Sequence, residues 1–520
     1  MPRFAAIDLG SNALRLRIVE AQPAPDEPSP PLSSRSGLPR ERFTEIASMR
    51  VPVRLGTGVY LDGRLTTAAI GQACTALREF REAMDEAKVD VYRATATSAV
   101  RDAKNGALLV ERARREAGID VDVIEGVEEA RLIKIAVLGR VPLEDRTALL
   151  VDVGGGSTEV TLLDRGAATF SMSLQLGTVR LLETYLGGGE GTGSRRAMRL
   201  LEEGVARAFA EIRPHVPPKP VDLVIGMGGN SETLAVLCPG RAPGAMRAID
   251  VGALQPLVQS IAKMSLDERC DKLGLRPDRA DTLLPAAAIF RYAAEMFQAS
   301  IISAPGVGLK EGILEELVAR HFHTWDTLGE EAGVIAACVT LGRRYRFDEA
   351  HGRLVASFAG TLFDAIAPSR GLDARDRLLL SVAAWLHDIG DFVRYDAHHK
   401  HSYYLIQHSD IMGLAREERE IVANVARYHR KGPPDTTHPN FRDLDKAARS
   451  KVRALSSILR VADALDREHL GKVRQLTADV EKRRLVLRPS GDEARELEEW
   501  SVGVKSPFLT DVFDLDVVLA

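Results

Sequence analysis

Cysteine is scarce in this sequence. The 520 residues include four, Cys74, Cys238, Cys270 and Cys338, and no two of them have CxxC spacing. Scattered cysteines of this kind exclude a secreted scaffold held together by disulfides, because that class carries a dense, paired set. They are typical of a protein that folds in the reducing cytoplasm.

Long apolar runs and a strong excess of one charge are also missing. No apolar run reaches the roughly 18 residues of a membrane span. The first residues, MPRFAAIDLG, enter a strand pattern at once, without a signal peptide. The net charge of −4 argues against a general nucleic-acid binder. We therefore expect a soluble cytoplasmic protein whose partners include neither membrane nor nucleic acid.

What the sequence does contain is a change of periodicity near residue 325. Before it, strand and helix patterns alternate, as in VDVYRAT (89–95) and GALLVERARREAG (106–118). This alternation predicts an α/β region with a mostly parallel sheet and helices on both faces. After it, the period is helical, with a few short strands near the end. The Pro/Ser-rich stretch 22–42 is predicted to be an exposed, mobile loop.

The α/β region contains an internal repeat. AAIDLGSNALRL (5–16) and LLVDVGGGSTEV (149–160) superpose with Asp8 on Asp152 and Gly10 on Gly154. Each copy reads as a strand, an aspartate, a glycine turn and a second strand. We therefore expect two hairpins that face each other across a cleft, one in each sub-domain. The predicted boundaries are 1–140, 141–323 and, for the helical domain, 324–520.

Glycine turns and carboxylates together suggest a particular kind of ligand. Backbone N–H groups of such turns cradle phosphate oxygens, which nearby carboxylates would repel. A divalent cation removes the conflict, because magnesium is held by one or two carboxylates plus substrate phosphates. The alternative is that tight hairpin turns alone require the glycines. Neither turn shows the GxGxxG pattern leading into a helix, which argues against a dinucleotide site.

Seven motifs follow one another along the α/β region. They are IDLGSN (7–12), ATSAVRDAKN (96–105), EGVEEARL (125–132), VDVGGGSTE (151–159), LGTVRLLE (176–183), GMGGNSETLA (226–235) and GLKEGIL (308–314). With these motifs in this order, the chain resembles the exopolyphosphatase/guanosine pentaphosphate phosphatase family, a branch of the actin-like ATPase superfamily. The resemblance implies two actin-like, ribonuclease H-like sub-domains that flank a cleft.

The resemblance also implies roles for single residues. Members of the family hydrolyse terminal phosphoanhydrides with water, and their general base matches Glu129. Glu128 is expected to point elsewhere, because helical neighbours are about 100° apart. Arg101 matches an arginine expected to grip the transferred phosphoryl group with its planar guanidinium. The residues expected to contact phosphate oxygens are Gly10, Ser11, Asn12, Gly154, Gly155, Gly156, Ser157, Gly228 and Gly229.

Magnesium, or else manganese, is the implied cofactor. Asp152 and Glu159 are expected to be catalytic and to position this cation or the attacking water, with Asp8 as a further ligand. Catalysis would then be mostly positioning and charge stabilisation. The sequence departs from the family at Ala13, where serine is common, and at Lys310, where arginine is frequent. Neither departure replaces one of the acidic residues.

The helical half contains a second set of polar residues on apolar stripes. His351, His387, Asp388 and Asp463 lie on three predicted helices in the order His, His-Asp, Asp. This order resembles the HD phosphohydrolase superfamily. An aspartate on an apolar stripe is costly to bury unless it is paired or metal-bound, so a second site for a transition metal is predicted. His401 and His429 could add ligands, and buried histidines bound to helix carbonyls remain the structural alternative.

The resulting functional prediction is an exopolyphosphatase that removes terminal phosphates from inorganic polyphosphate. A close alternative is hydrolysis of guanosine pentaphosphate at the same site, because both activities share all the motifs. An actin-like ATPase or kinase is an alternative of another class, in which GMGGN (226–230) would hold a nucleoside. Relatives of the family suggest a homodimer.

Overall fold

The computed structural model describes residues 1–22, 43–187, 195–217, 219–241, 246–322, 327–367, 371–491 and 495–520. The predicted mobile loop at 22–42 lies outside these residues, except for Gln22. The chain forms two compact units, Met1–Asp326 and Thr327–Ala520. The predicted division of the α/β region at residue 140 stays a prediction.

The first unit contains two sheets. The five-stranded sheet has the order β3-β2-β1-β4-β5 and the six-stranded sheet the order β10-β11-β9-β6-β7-β8. Their strands are β1 (Arg3–Leu9), β2 (Leu14–Ala21), β3 (Phe43–Val51), β4 (Val91–Ala96), β5 (Val121–Val123), β6 (Thr147–Val153), β7 (Thr158–Asp164), β8 (Ala167–Leu174), β9 (Leu223–Met227), β10 (Arg247–Asp250) and β11 (Ile301–Ala304).

The internal repeat is confirmed in both sheets. β1 and β2 form an antiparallel hairpin in which Asp8 pairs with Arg15, and β6 and β7 form one in which Asp152 pairs with Glu159. Beside the first hairpin, β4 runs parallel to β1, and beside the second hairpin, β9 runs parallel to β6. The prediction of mostly parallel sheets is therefore wrong, because short glycine turns force antiparallel neighbours.

Helices cover the sheets of the first unit. In α2 the buried stripe includes Ile70, Cys74 and Leu77, and the Thr66 side chain caps the helix by accepting from the Ala69 N–H. The helices are α1 (Val59–Asp62), α2 (Thr67–Glu86), α3 (Ser98–Asp102), α4 (Gly106–Ala117), α5 (Gly126–Leu138), α6 (Thr178–Tyr185), α7 (Arg195–Phe209), α8 (Gly229–Leu237), α9 (Val251–Ile261), α10 (Leu266–Leu273), α11 (Pro277–Ala280), α12 (Leu283–Met296) and α13 (Leu309–His321).

The second unit is helical apart from one small sheet. Its core is formed mainly by α15, α16, α18 and α20, and its strands follow the order β12-β13-β14. The elements are α14 (Thr327–Arg344), α15 (Glu349–Ile366), α16 (Ala374–Leu386), α17 (His398–Gln407), α18 (Arg416–Arg427), α19 (Pro439–Arg442), α20 (Lys446–Ala464), β12 (Val473–Glu481), β13 (Arg484–Gly491), α21 (Glu496–Lys505), α22 (Pro507–Phe513) and β14 (Asp516–Leu519). Among the described residues, no helix has the length and apolarity needed to span a membrane.

Candidate active site

The turns of the two repeated hairpins pack directly against each other. A Cβ on Gly155 would lie 2.8 Å from Ser11 Cβ and 3.4 Å from the backbone nitrogen of Asn12. Only glycine permits so close an approach of two turns. The side chain of Ser11 is itself held by Tyr60 at 2.8 Å and Ser98 at 3.0 Å.

Turn geometry alone does not account for these glycines. Gly10, Gly154, Gly155 and Gly156 all lie outside the left-handed region that requires glycine. Close contacts explain two of them, since a Cβ on Gly156 would overlap the hydroxyl of Tyr60. Turn geometry alone therefore does not explain Gly155 and Gly156, whereas a Cβ on Gly10 or Gly154 would meet a carbonyl oxygen of its own turn.

A pocket of about 300 Å³ opens beside the two turns. Among the predicted phosphate contacts, Gly156 does not line the pocket, because it packs behind the turn against Tyr60 and Ser98. The other predicted contacts line it: Gly10, Ser11, Asn12, Gly154, Gly155, Ser157, Gly228 and Gly229. Tight packing also explains Gly229, since a Cβ there would overlap the Arg279 guanidinium.

Three buried carboxylates lie together next to this pocket. Glu129, Asp152 and Glu159 each offer an oxygen, and these oxygens lie within 4.8 Å of one another. Glu129 and Asp152 line the pocket, whereas Glu159 lies behind them and accepts from Ser173 Oγ at 2.8 Å. One oxygen each of Glu129 and Glu159 is buried without a hydrogen-bond partner. Such a set fits a divalent cation, because Mg²⁺ prefers oxygen ligands.

Burial and mutual repulsion raise the pKa values of these three carboxylates. Burial, followed by the charges of Glu159 and Asp152, raises the pKa of Glu129 well above its ordinary value. Burial, with Glu159 and Asp8, raises the pKa of Asp152 to about 8. Burial also raises the pKa of Glu159, although Ser157 and Ser173 oppose it. Three acids that resist ionisation together are a site that attracts positive charge.

The start of α5 determines which glutamate enters the site. A Cβ on Gly126 would lie 2.4 Å from Ser173, so the glycine lets this helix pack closely on β8. Glu129, one turn later, then points into the pocket. Glu128 points away, as predicted, and accepts from Arg131 Nε at 2.7 Å.

Two predicted site residues lie at the margin of the group. Asp8 lines the pocket, but its carboxylate accepts from Arg15 Nη1 at 2.8 Å, and it is outside the group of three. Arg101 does not line the pocket, and its Nη1 donates to the carbonyl of Ile124 at 2.8 Å. Its charge still lowers the pKa of Glu129. The predicted grip of Arg101 on phosphate stays a prediction.

Cations on the pocket wall were missed by sequence reasoning. Arg15, Arg50, Arg279 and Lys310 line the pocket, and Lys310 was noted only as a departure from the family. Burial, together with repulsion from Arg15 and Arg50, lowers the pKa of Arg279 to about 10. Repelling cations in a half-open pocket attract a polyanion. Their distant positions in the chain gave no local signal.

The second unit brings its predicted metal residues together. His351, His387 and Asp463 form one buried group of potential ligands. Asp388 joins His351 and His469 in another, and His398 and His429 in a third. Burial lowers the pKa of His387, but Asp388 and Asp463 outweigh it and raise the pKa to about 9.

Of the two histidines predicted as possible further ligands in the second unit, the structure places one in these groups and not the other. Within the part of the chain that the structure describes, His401 belongs to no such group, whereas His429 does. His398, three residues earlier on α17, takes the place expected for His401. The motif HHKH contains three histidines at 398, 399 and 401, and only the helix start at His398 decides which one faces inward.

The sequence matches known profiles along most of its length. The profile of the Ppx/GppA phosphatase family matches residues 33–321, and that of Ppx/GppA phosphatase, domain III, matches residues 335–511. The chain belongs to the Ppx/GppA phosphatase family. Members of this family are phosphatases that hydrolyse phosphoanhydride bonds.

Similar proteins cover both units. A Vibrio campbellii protein named guanosine-5'-triphosphate,3'-diphosphate pyrophosphatase is 25% identical over 512 residues, 98% of this chain and 97% of its own. One of the same name from Aeromonas hydrophila is 26% identical over 499 residues, 94% of this chain and 93% of its own. The crystal structure of an exopolyphosphatase from Cytophaga hutchinsonii is 25% identical with a TM-score of 0.54, covering 61% of this chain and 98% of that one. The predicted fold, actin-like α/β followed by a helical domain, is confirmed.

Proposed function

We propose that this chain hydrolyses guanosine pentaphosphate, removing the terminal phosphate of its 5' triphosphate. The observation that carries this proposal is the extent of its similarity to relatives named for this substrate. They are 25–26% identical, and two of them align with 94–98% of the chain. This similarity supports guanosine pentaphosphate over inorganic polyphosphate, although the motifs alone favour neither.

The pocket of the first unit supplies groups for such a substrate. Its phosphates would lie against the facing glycine turns at Gly10 and Gly155, where backbone N–H groups bind anions. Arg15, Arg50 and Arg279 line the same pocket and would neutralise the charge of the phosphates. The substrate carries two phosphate chains, a 5' triphosphate and a 3' diphosphate, and a wall with several cations suits both.

Glu129 is proposed as the general base. It lines the pocket, is buried and has an oxygen without a hydrogen-bond partner. It would take a proton from water while the water oxygen bonds to the terminal phosphorus and the bond from phosphorus to the bridging oxygen breaks. The released nucleotide keeps that bridging oxygen, so the atoms balance.

Magnesium is the proposed cofactor, with manganese as the substitute. Asp152 and Glu159 would hold it, because their oxygens lie with that of Glu129 in one buried acidic group. When bound, it would offset the negative charge of the phosphates. Asp8 would act at longer range, since Arg15 already occupies its carboxylate.

A second candidate activity is exopolyphosphatase. It is favoured by the Cytophaga hutchinsonii crystal structure, whose name states this activity and whose chain is 98% covered. The cations on the pocket wall would bind phosphate chains of either kind.

A homodimer and a cytoplasmic location stay predictions.

Steady-state kinetics on the purified chain with Mg²⁺ tests this proposal. Guanosine pentaphosphate, long-chain polyphosphate, GTP and ATP would be compared as substrates, with phosphate release as the readout. We expect kcat/KM for guanosine pentaphosphate to exceed that for GTP by at least tenfold, because GTP lacks the 3' diphosphate. A higher kcat/KM for polyphosphate would overturn the proposal in favour of the second candidate. A kcat/KM for ATP at or above the values for both guanosine pentaphosphate and polyphosphate would exclude both candidates.

A further inference from the structure

The motif LGTVRLLE (176–183) forms the start of α6 and has no role in the function proposed above. It packs directly against the glycine turn of the second hairpin. A Cβ on Gly177 would lie 2.4 Å from the carbonyl oxygen of Gly155 and from the carbonyl carbon of Gly156, so only glycine lets the helix begin there. The motif therefore places one helix in backbone contact with the turn that is proposed to hold phosphate.

Backbone N–H groups of α6 bind two carbonyls of this turn. The N–H of Thr178 donates to the carbonyl of Gly154 at 3.0 Å. The N–H groups of Val179 and Arg180 donate to the carbonyl of Gly155 at 2.8 Å and 3.1 Å. In a trans peptide, the N–H of the next residue points opposite to the carbonyl. The N–H groups that follow these two carbonyls are therefore turned away from α6.

The third carbonyl of the turn is held by a side chain. Arg180 Nε donates to the carbonyl oxygen of Gly156 at 2.7 Å. With all three carbonyls directed at α6, the N–H groups of Gly155, Gly156 and Ser157 face the other way. None of the three donates to another backbone carbonyl in the described part of the chain, and Gly155 and Ser157 line the pocket. Successive N–H groups of this kind form a concave binding site for an anion.

The same guanidinium also reaches the turn of the first hairpin. Its carbon lies 4.1 Å from the centre of the Tyr60 ring, which is a cation–π contact. The Tyr60 hydroxyl lies 2.8 Å from Ser11 Oγ, and Ser11 belongs to the first turn. Arg180 thus connects the two facing turns through a single aromatic side chain.

Asp102 extends this connection to Arg101. Arg180 Nη2 donates to Asp102 Oδ2 at 2.7 Å, and Asp102 Oδ1 lies 3.7 Å from Arg101 Nε. Arg101 is the arginine predicted to grip the transferred phosphoryl group. Arg180 therefore contacts, directly or through one residue, three groups that would meet the phosphate: the N–H groups of the second turn, Ser11 and Arg101.

Arg180 supports these groups from behind. Its side chain is 18% exposed, and it does not line the pocket. Its Nε and Nη2 are both occupied, and its charge lies over the ring of Tyr60. A lysine carries a single point charge and cannot make three contacts in these fixed directions, so the position requires the planar guanidinium.

We propose that Arg180 is a positioning residue for the transferred phosphoryl group. By holding the carbonyl of Gly156, it keeps the N–H groups of the second turn aimed at the phosphate oxygens. Through Tyr60 it keeps the first turn, with Ser11, opposite them. The proposal rests on the proposed function only in that a phosphate occupies the pocket, and the nucleotide or polyphosphate that carries this phosphate does not matter.

Kinetics of Arg180→Lys and Arg180→Met test this role. Fixed N–H donors act mainly on the charge that develops in the transition state, so their misplacement lowers kcat more than it raises KM. With the substrate that gives the highest wild-type kcat/KM, we expect both variants to lose at least tenfold in kcat. The lysine keeps the charge, so a loss shared by both variants comes from geometry. A lysine variant with the wild-type kcat would overturn the proposal, because charge alone would then suffice.

Arg291→Met is the matched control. The side chain of Arg291 is 16% exposed, pairs with Glu202 and Glu295, and does not line the pocket. We expect this variant to keep the wild-type kcat and KM. Circular dichroism and urea denaturation of all variants separate a loss of folded protein from a loss of rate. Arg180 variants that are less stable, but whose folded protein keeps the wild-type kcat, would show a purely structural arginine and overturn the proposal.

Binding of inorganic phosphate tests the turn without relying on hydrolysis. Isothermal titration calorimetry of the full chain, with and without Mg²⁺, isolates the phosphate binding that depends on the acidic group of the first unit. We expect Arg180→Lys to weaken this binding by at least tenfold, and Arg291→Met to leave it unchanged. Equal affinities of wild type and Arg180→Lys, or no Mg²⁺-dependent binding by wild type, would overturn the proposal. A wild type that binds phosphate in this way but hydrolyses none of the substrates would instead contradict the proposed function, and the phosphate affinities would still decide the role of Arg180.

Discussion

At the residue scale, two adjacent glutamates at the start of α5 provide a direct test of the catalytic carboxylate. Glu129 lines the pocket, whereas Glu128 pairs with Arg131. We expect Glu129→Gln to lower kcat by about 10²-fold or more, the range for a positioned general base. Glu128→Gln is the matched control and should stay within a few-fold of wild type. If the two variants exchange these results, the wrong neighbour has been assigned.

Arg279 tests substrate binding separately from the chemical step. It lines the pocket, and burial together with repulsion from Arg15 and Arg50 lowers its pKa to about 10, which leaves it charged at neutral pH. Losing one charge-assisted contact costs about 1.5–3 kcal/mol, so Arg279→Met should raise KM roughly tenfold or more with a smaller change in kcat. Arg276→Met, three residues earlier and 62% exposed, is the control. Equal KM values for the two variants would exclude Arg279 from the substrate site.

Sequence reasoning found the acidic half of this site and missed its basic half. Asp152, Glu159 and Glu129 lie in ordered motifs whose spacing along the chain carries the information. Arg50 and Arg279 come from segments that meet only in the folded unit, so no local pattern reveals them. The same limit explains the choice of His401 over His398, which depends on where one helix begins.

At the element scale, the contact between the two hairpin turns should be sensitive to a single methyl group. A Cβ on Gly155 would lie 2.8 Å from Ser11 Cβ, so Gly155→Ala must push the turns apart. We expect a loss of about 1–3 kcal/mol in the free energy of unfolding and a marked fall in kcat. Gly71→Ala, in the second turn of α2 with no atom of a neighbouring element within 4 Å of the new Cβ, is the control. Urea denaturation should find it more stable by about 0.5–1 kcal/mol.

The packing of α13 on α5 predicts a pH dependence of stability. Burial would raise the pKa of Glu316 on α13, but Arg131 and Arg320 outweigh it, and the pKa is lowered. A lowered pKa stabilises the fold above the ordinary glutamate value of about 4.3, and this stability is lost as the pH falls through the folded value. Glu316→Gln should therefore cost about 2–3 kcal/mol at pH 7, with the gap to wild type closing in acid.

A surface pair provides the comparison for Glu316. Glu295 pairs with Arg291 at 3.0 Å, but its side chain is 53% exposed. Exposed pairs contribute about 0–1 kcal/mol, so Glu295→Gln should change the unfolding free energy little at any pH. Urea midpoints at pH 7 and pH 3.5 measure both variants. A gap between wild type and Glu316→Gln that persists in acid would show that the glutamine disturbs packing and that charge is not the cause.

At the scale of the whole molecule, the sequence predicted the order of the helices and strands, but it predicted the direction of the strands only in part. Alternating patterns identified α/β and helical halves, because apolar periodicity depends on local sequence. Strand pairing depends on connections, and the short turn within each repeat made its two strands antiparallel. The repeat itself was visible because both hairpins carry an aspartate and a glycine at matching positions.

The division into two units predicts that the proposed catalytic site and the predicted transition-metal site can be separated. Every residue that lines the first pocket lies within Met1–Asp326, and all the predicted transition-metal ligands lie within Thr327–Ala520. The Cytophaga hutchinsonii exopolyphosphatase aligns over 98% of its own length with 61% of this chain. A protein of about this size therefore folds by itself, which supports independent folding of a part of this size here. We therefore expect the fragment 1–326 to fold and to hydrolyse GTP with a kcat within a few-fold of the full chain, while losing the transition metal. Phosphate release, metal analysis and circular dichroism on the same preparation measure all three properties. A fragment that is folded but cannot release phosphate would show that catalysis requires residues beyond 326 in addition to the acidic group at Glu129.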